Sequence, residues 1–303
     1  MLPSSPIDAV YTWVDGGRPE YRAELEHHAR RPHDLNPERF RDPYDLLRHS
    51  LRSLEQHAPW IGRVYLFTRR PQVPAWLSLD HPRVRVVHHD EVGADPAALP
   101  TFNSNVIESL LHLIPEISAR FLYFNDDYLL GSPITPADFF APDGRMKVFG
   151  TLFGKPARHR VYEPQIISFG LLEHAPLLID RAEWSAMQTA DAAKFSELRT
   201  HRFRQHDDLR PDRLYRWHLL TQCRDRAVAE PFWRYLRYSA FIKITCDLAR
   251  SQRDCARVRR TRPKFFCLND DQGDHPNPAV VATVRTLLAD LYPRPSTFER
   301  AEA

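Results

Sequence analysis

Residues 7–17, IDAVYTWVDGG, decide the architecture: an apolar run of strand length stops dead at an acid followed by two glycines. The same design returns at 121–127, FLYFNDD, and at 264–271, KFFCLNDD. Between the first two lie VYLFT (64–68) and VRVVH (84–88), which read as further strands. Helical patterns alternate with them. Asp42-Pro43 reads as an N-cap followed by proline at the first helical position, and Leu47, Leu51, Leu54 and Ala58 then recur at helical spacing until Pro59. The segment 103–114 carries Ile107, Leu110, Leu111 and Ile114 on one face, and 19–31 reads as an exposed, charged helix. Strands alternating with helices over the first 130 residues predict an α/β layered domain with a mostly parallel sheet.

Further on, 148–153 reads as a strand, 182–226 as mostly helical, 235–244 as extended and 277–291 as a closing amphipathic helix. These segments predict one domain in three stretches. The α/β core begins at 7–153, a mostly helical insertion occupies 155–230, and 235–293 completes the core.

Composition narrows the function. The chain has 303 residues, with 42 Lys+Arg against 39 Asp+Glu, so its net charge is only +3. Hydrophobic residues at 43% and charged residues at 27% are globular values and argue against a mostly disordered chain. The longest apolar runs fall short of the roughly 18 residues of a membrane span. The start, MLPSSPIDAVY, lacks a basic stretch leading into an apolar one, so a cytoplasmic protein is expected. Neither GxGxxG nor GxxxxGK[ST] occurs. Cys223, Cys246, Cys255 and Cys267 show no CxxC pairing, and the expectation is buried free thiols rather than zinc ligands or disulfides. The run 250–264, RSQRDCARVRRTRPK, is strongly basic but has no interleaved aromatics. It reads as a solvated basic face, with peripheral contact to an anionic membrane or acceptor as second reading, and not as a nucleic-acid site.

In open α/β sheets ligands bind beyond the carboxyl ends of the strands. The acids ending three strands, Asp15, Asp126-Asp127 and Asn269 with Asp270-Asp271, are therefore expected to meet in one crevice. Two carboxylates about 4 Å apart repel by roughly 4 kcal/mol at an effective dielectric near 20, so such a cluster takes up a proton or a cation. Carboxylate and amide oxygens with no cysteine nearby suit Mg²⁺ or Mn²⁺. If the strand runs through both acids, alternation puts Asp127 with Tyr123 and Asn125 on the polar face, which favours Asp127 over Asp126. Asn103 or Ser104 would cap the next helix and leave N–H groups for a phosphate, with Asn105 and Glu108 beside them.

The chain resembles the Stealth family of sugar-phosphate transferases. The likeness rests on IDAVYTWVDG (7–16), on DLLRHSLRSLEQHAPWIGRVYLFT (45–68) continued through LPTFNSNVIESLLHLIP and RFLYFNDDYLLG, on HAPLLIDR (174–181) with HRFRQHDD (201–208), and on KFFCLNDD. It implies a nucleotide-binding core, Rossmann-like or GT-A-like, that moves a hexose-1-phosphate from a UDP-sugar donor to a hydroxyl acceptor on a glycan. A divalent metal assists, and the setting is exopolysaccharide or capsule synthesis. It further implies functional positions at Asp8 and Trp13, at Glu108 and Asp127, at His174 and Arg204, and at Asn269 and Asp270. On that reading Asp127, His174, Arg204 and Glu108 are catalytic. Asp8, Trp13, Asp15, Asn103 and Asn105 bind substrate, and Asn269, Asp270 and Asp127 hold metal. Gly17-Arg18-Pro19 departs from the family's usual Ser/Thr-Asp turn, and the extra terminal regions of the larger polymerases are not matched. The competing readings are a metal-dependent glycosyltransferase that releases UDP, and a non-catalytic binding module.

Overall fold

A computed structural model describes residues 6–36, 40–93, 98–151 and 174–300. Four strands, β1 (Asp8–Thr12), β2 (Val64–Thr68), β3 (Val84–His88) and β4 (Arg120–Asn125), form a parallel sheet, and β7 (Leu177–Asp180) closes it antiparallel to β4. The order is β3-β2-β1-β4-β7. The chain runs outward from β1 to β3 and then returns to β4 on the other side of β1, so a topological switch point lies between β1 and β4. Burial on both faces explains why the inner strands β1, β2 and β4 read as unbroken apolar runs: Val10, Tyr11, Leu66, Phe67, Leu122 and Phe124 are all buried, and Tyr11 stacks on Phe124 at 4.8 Å between ring centres.

The helix α2 (Leu46–His57) packs Leu47, Leu51 and Leu54 into this core. It begins later than Asp42-Pro43 suggests: Asp45, in a left-handed conformation, stands at its cap position. Asp42 still serves the entrance from a distance, since its carboxylate accepts the amides of Tyr44 at 3.0 Å and Leu46 at 2.6 Å. The charged segment forms α1 (Pro19–His28), which buries Tyr21 and Leu25, so it is not wholly exposed. The helix α3 (Ser104–Leu110) is shorter than expected and tightens into a 3₁₀ turn at Leu111–Leu113.

A second, three-stranded sheet has the order β5-β10-β9, from β5 (Tyr128–Leu129), β10 (Phe265–Asp270) and β9 (Ser239–Ile244). It packs with α8 (Leu248–Thr261) and α9 (Pro278–Leu291) into its own core, where Leu129, Ile242, Phe266, Leu268, Val258, Val284 and Leu288 are buried. The predicted closing helix forms, and α9 starts at a capping asparagine: Asn277 Oδ1 accepts the Ala279 amide at 3.0 Å. The basic run lies on α8, which turns Cys255 and Val258 inward and leaves arginines in intrahelical pairs, Arg250 and Arg257 with Asp254 at 3.7 and 3.4 Å.

The remaining elements amend the expected insertion. The strand β6 (Met146–Thr151) matches the predicted one, whose last residues, Leu152 and Phe153, lie outside the described residues, as do 155–173. Three helices follow as predicted, α4 (Arg181–Ala190), α5 (Ala192–Thr200) and α6 (Pro211–Gln222). The expected insertion also supplies β7 to the main sheet and nearly all of β8 (Ala227–Pro231), which pairs with β6, so it is not purely helical. The segment read as extended from 235 begins as a helix, α7 (Phe232–Tyr238), and becomes β9 only at Ser239.

Candidate functional site

A cavity of about 410 Å³ opens at the switch point. Its wall carries Thr12, Trp13 and Val14 from the end of β1, Asn125 to Asp127 from the end of β4, and Leu268 to Asp271 from the end of β10. His174, Arg204, Ser104, Arg41 and His89 also line it. The three acid-ended strands thus converge, although β10 belongs to the second sheet. A shallower hollow at the opposite end of the sheet, about 550 Å³, is lined by Asp8, Arg63 and Glu116, which satisfy one another or nearby backbone.

Asp127 is the centre of the cavity. The strand β4 ends at Asn125, and Asp126-Asp127 form the turn into β5, so the alternation that singled out Asp127 does not reach it. What distinguishes Asp127 is its surroundings. Its Oδ2 accepts the Cys267 thiol at 3.1 Å, while its Oδ1 is buried without a hydrogen-bond partner. Burial raises its pKa above the ordinary carboxylate value, and the Cys267 bond, the nearby His174 and the Asn269 amide pull the other way. Asp126 is raised much further, by burial and by the charges of Asp127 and Asp42. Of the two acids, Asp127 is the better placed to carry charge. One Asp127 oxygen, the Cys267 sulfur and a His174 nitrogen all lie within 4.8 Å of one another. A cysteine therefore does sit among the oxygen ligands, which corrects the expectation that none would. Burial and the adjacent acids hold Cys267 well above its ordinary pKa, so it is present as a thiol donor and not as a thiolate. Strand alternation in FFCLND puts Cys267 on the same face as Asn269, a signal that could have found it.

His174 has φ 55°, the left-handed region that a residue with a Cβ seldom occupies. Its ring lies 4.5 Å from that of Phe241 and 6.4 Å, edge-on, from that of Tyr128. Arg204 is exposed at the cavity mouth, where one guanidinium N–H reaches the Ser104 hydroxyl.

Asn269 lines the cavity beside Asp127, whereas Asp270 is already engaged: Arg41 donates to its Oδ2 at 2.7 Å and the Tyr44 hydroxyl to its Oδ1 at 3.1 Å. Gln272 in turn donates to Tyr44 at 2.6 Å. Neither Arg41 nor Tyr44 stood out in a sequence so rich in arginine.

Glu108 is buried just behind the wall. The Tyr123 hydroxyl lies 3.3 Å from its Oε1 and 2.5 Å from Asn125 Oδ1, while the Asn125 amide reaches Tyr128. Burial and the charge of Asp212 raise Glu108 to about 7, against the pull of Arg204, Arg210 and the Tyr123 bond. It is therefore a group able to exchange a proton near neutrality.

Four residues expected to bind substrate stand elsewhere. Asp8 is at the opposite end of β1, where its oxygens accept the Arg63 amide at 2.7 Å and the Ser118 amide at 2.9 Å. Asp15 lies past the rim and holds the turn by accepting from Gly17 and Arg18. Gly16 is needed there, since a Cβ would stand 2.2 Å from the Phe40 carbonyl oxygen. Asn103 is fully buried; it caps α3 through the Asn105 amide and donates to Asp208 at 2.7 Å. Asn105 is buried beneath it and takes no part in the cavity wall. Of that group only Trp13 lines the cavity.

Cysteines 223, 255 and 267 are buried and free as expected, while Cys246 is exposed. Among the described residues no helix is long and apolar enough to cross a membrane.

Three sequence models of Stealth protein conserved regions match the chain: region 1 at residues 5–26, region 2 at 39–148 and region 4 at 256–303. The chain is 38% identical over 98% of its length to an exopolysaccharide phosphotransferase of Streptomyces coelicolor, and spans 53% of that protein. It is 33% identical over 98% of its length to one of Nocardia farcinica, of which it spans 62%. To the exopolysaccharide phosphotransferase CpsY of Mycobacterium leprae it is 32% identical over 97% of its length, spanning 57% of that protein. Among solved structures it is similar to the galactosyltransferase LgtC, at 13% identity and a TM-score of 0.47 over 94% of this chain and 96% of the other. It is also similar to the glycosyltransferase GlyE of Streptococcus pneumoniae, at 12% identity and 0.45 over 95% and 64%.

Proposed function

Given that the chain belongs to the Stealth family, we propose that it transfers a sugar phosphate, hexose-1-phosphate from a UDP-sugar, to a hydroxyl of a glycan acceptor in exopolysaccharide synthesis, with UMP as the leaving group. The observation that carries this reading is the meeting of Asp127, His174 and Arg204 in one cavity at the switch point of a parallel sheet. A nucleotide fits such a crevice, and the three side chains match what attack on a phosphorus requires.

Asp127, through its unpartnered Oδ1, and Asn269 offer oxygen donors to a divalent cation, and oxygen donors of this kind fit Mg²⁺ or Mn²⁺, with the Cys267 thiol engaged on the other carboxylate oxygen. Such an ion would offset the charge gathering on the departing nucleotide. The protein's own groups do the rest. Arg204, exposed at the rim, pairs with the phosphoryl oxygens through its planar fork. Asp127 or His174 takes the proton of the attacking hydroxyl, and the left-handed backbone at His174 fixes where that ring points. Trp13 supplies a flat apolar wall for the base or sugar. The Arg41 and Tyr44 bonds to Asp270 hold the β10 end of the cavity rigid.

Incubation with a UDP-amino-hexose, Mg²⁺ and a glycan acceptor, followed by nucleotide separation, tests the reading. UMP formed in step with a sugar phosphodiester supports it. Acceptor-dependent release of UDP would overturn it in favour of a glycosyltransferase, and binding of the sugar nucleotide without turnover on any acceptor would point to a binding module.

A further inference from the structure

A second cluster of metal-binding side chains stands apart from this cavity, in the helical part of the chain. Glu183 is in the first turn of α4, His218 is in α6, and Cys223 caps the end of α6. Cys223 Sγ lies 2.9 Å from Glu183 Oε2 and 3.3 Å from His218 Nε2, and His218 Nε2 lies 3.2 Å from the same Oε2. None of the three lines the cavity around Asp127. Trp184 and Tyr215, packed on each other at 5.0 Å, are buried neighbours of Glu183 and α6. The second Glu183 oxygen accepts from Arg226, so one oxygen is held and the other faces the thiol and the imidazole.

Hydrogen bonds alone fit this triangle poorly. It has three edges, and the thiol and the imidazole nitrogen bring at most two protons. When both donate to Oε2, sulfur and nitrogen face each other at 3.3 Å with nothing between them; when the thiol donates to the imidazole, another edge is bare. A cation at the centre engages all three atoms at once. Tetrahedral zinc, with bonds of about 2.0 to 2.3 Å, spaces its ligand atoms about 3.3 to 3.6 Å apart, so the Sγ–Oε2 edge must open by roughly 0.6 Å and the other two edges by only a few tenths of an ångström. Thiol, imidazole and carboxylate together are donors for a first-row transition ion and not for Mg²⁺.

We propose that Glu183, His218 and Cys223 form a zinc site that cross-links α4 to the end of α6. Binding replaces the S–H bond with a Zn–S bond and releases the thiol proton to solvent. Water takes the fourth position, from the side on which His218 is partly exposed. Arg226 remains on the outer carboxylate oxygen as the supporting contact. Since Arg226 directly precedes β8, the ion stiffens the link between the helices and the β6-β8 pair. Sequence spacing concealed the set because Glu183 lies far along the chain from His218 and Cys223, with no paired-cysteine signature.

The test uses the full chain, stripped with a chelator and titrated with Co²⁺ alone. One equivalent should produce a thiolate-to-cobalt charge-transfer band that Zn²⁺ displaces. Cys223→Ala should abolish the band and Cys267→Ala should leave it. In unaltered protein, Zn²⁺ should slow alkylation of Cys223 by at least about tenfold, as expected when a thiolate is withdrawn into a metal bond, while the exposed Cys246 is labelled as before. Absence of the band, or a band of full strength in Cys223→Ala, overturns the site. So does Cys223 labelling that Zn²⁺ leaves unchanged. Should Cys223→Ala fail to fold, the labelling of unaltered protein decides alone.

Discussion

The Cys267 thiol donates to Asp127 Oδ2 across 3.1 Å, and this bond joins β10 to the turn that follows β4. It spends one carboxylate oxygen on the protein and leaves the other, buried and unpartnered, for chemistry. Because the thiol stabilises the charged carboxylate, Cys267→Ala raises the pKa of Asp127. On the proposed mechanism the ionised form is the active one, so activity should be lost as pH falls through that value. The acid limb of kcat/KM therefore moves to higher pH in the variant, while rates on the alkaline side stay close to the parent's. A pH–rate profile measures this, and an unmoved acid limb would separate Cys267 from Asp127.

Asp127→Asn should fold, since the change is nearly isosteric and removes a charge that burial disfavours. Turnover should fall by about 10²- to 10⁴-fold, the usual loss for a general base. Thermal melts and initial rates on the same preparation check both halves. A fall below about threefold would reduce Asp127 to a turn residue.

Glu108 gives a stability signature. Its folded pKa of about 7 lies above the ordinary value of 4.5, so the folded state holds its proton longer than the unfolded state does. The stability tied to that proton is complete below about 4.5 and is lost as pH rises through about 7. Glu108→Gln has no such proton to lose, so relative to the parent it should gain stability between pH 4.5 and 8. Urea midpoints at the two ends measure the difference.

Arg204→Lys keeps the charge and loses the fork. A hydrogen bond to a charged group is worth about 1.5 to 3 kcal/mol, so kcat/KM should drop about 10- to 100-fold, with the melting temperature unmoved because the side chain is exposed. Equal kcat/KM for the two forms would remove Arg204 from phosphate contact.

Chelation followed by dialysis should abolish transfer, and Mg²⁺ or Mn²⁺ should restore it, whereas Zn²⁺ at one equivalent should not. Full turnover of the stripped protein would contradict the oxygen-donor reading of Asp127 and Asn269.

Far from the cavity, Glu299 anchors the last described turn. Arg52 grips it at 2.6 and 2.7 Å, Arg48 at 2.5 Å, and the Ser296 amide at 2.8 Å. Burial opposes its charge, but these partners hold its pKa down to about 2. The stabilisation is present above the ordinary 4.5 and lost as pH falls toward 2; at neutral pH it is on the order of 3 kcal/mol. Glu299→Gln should lower the melting temperature at pH 7 and narrow the gap to the parent near pH 2.

The parts of this molecule that sequence made legible are those whose pattern is local. The runs at β1, β2 and β4 have no polar interruption between their ends, and α9 shows its cap and its apolar stripe within 15 residues. The parts that escaped depend on tertiary partners. The strand β7 is four residues long and acquires its identity only by pairing with β4. The start of the stretch read as extended, 235–238, is instead the end of a helix. The helix α2 starts late because Asp42 reaches over the turn to Leu46, a geometry that the Asp-Pro pair does not announce. At the site, Asp127, His174, Arg204 and Asn269 were singled out and do share a cavity, but Asp8 and Asn103 answer to local backbone instead. Motif membership marks a residue without saying whether it meets the ligand or holds up the wall.

The turn at Asp126-Asp127 is where the five-stranded sheet hands over to the three-stranded one. In mechanical terms it is a fulcrum. Trp13 rides on one arm and Asn269 on the other, and a group at the pivot of a lever does not travel. Should the two sheets rock against each other, the jaws of the cavity would widen and narrow while the Asp127 carboxylate kept its station.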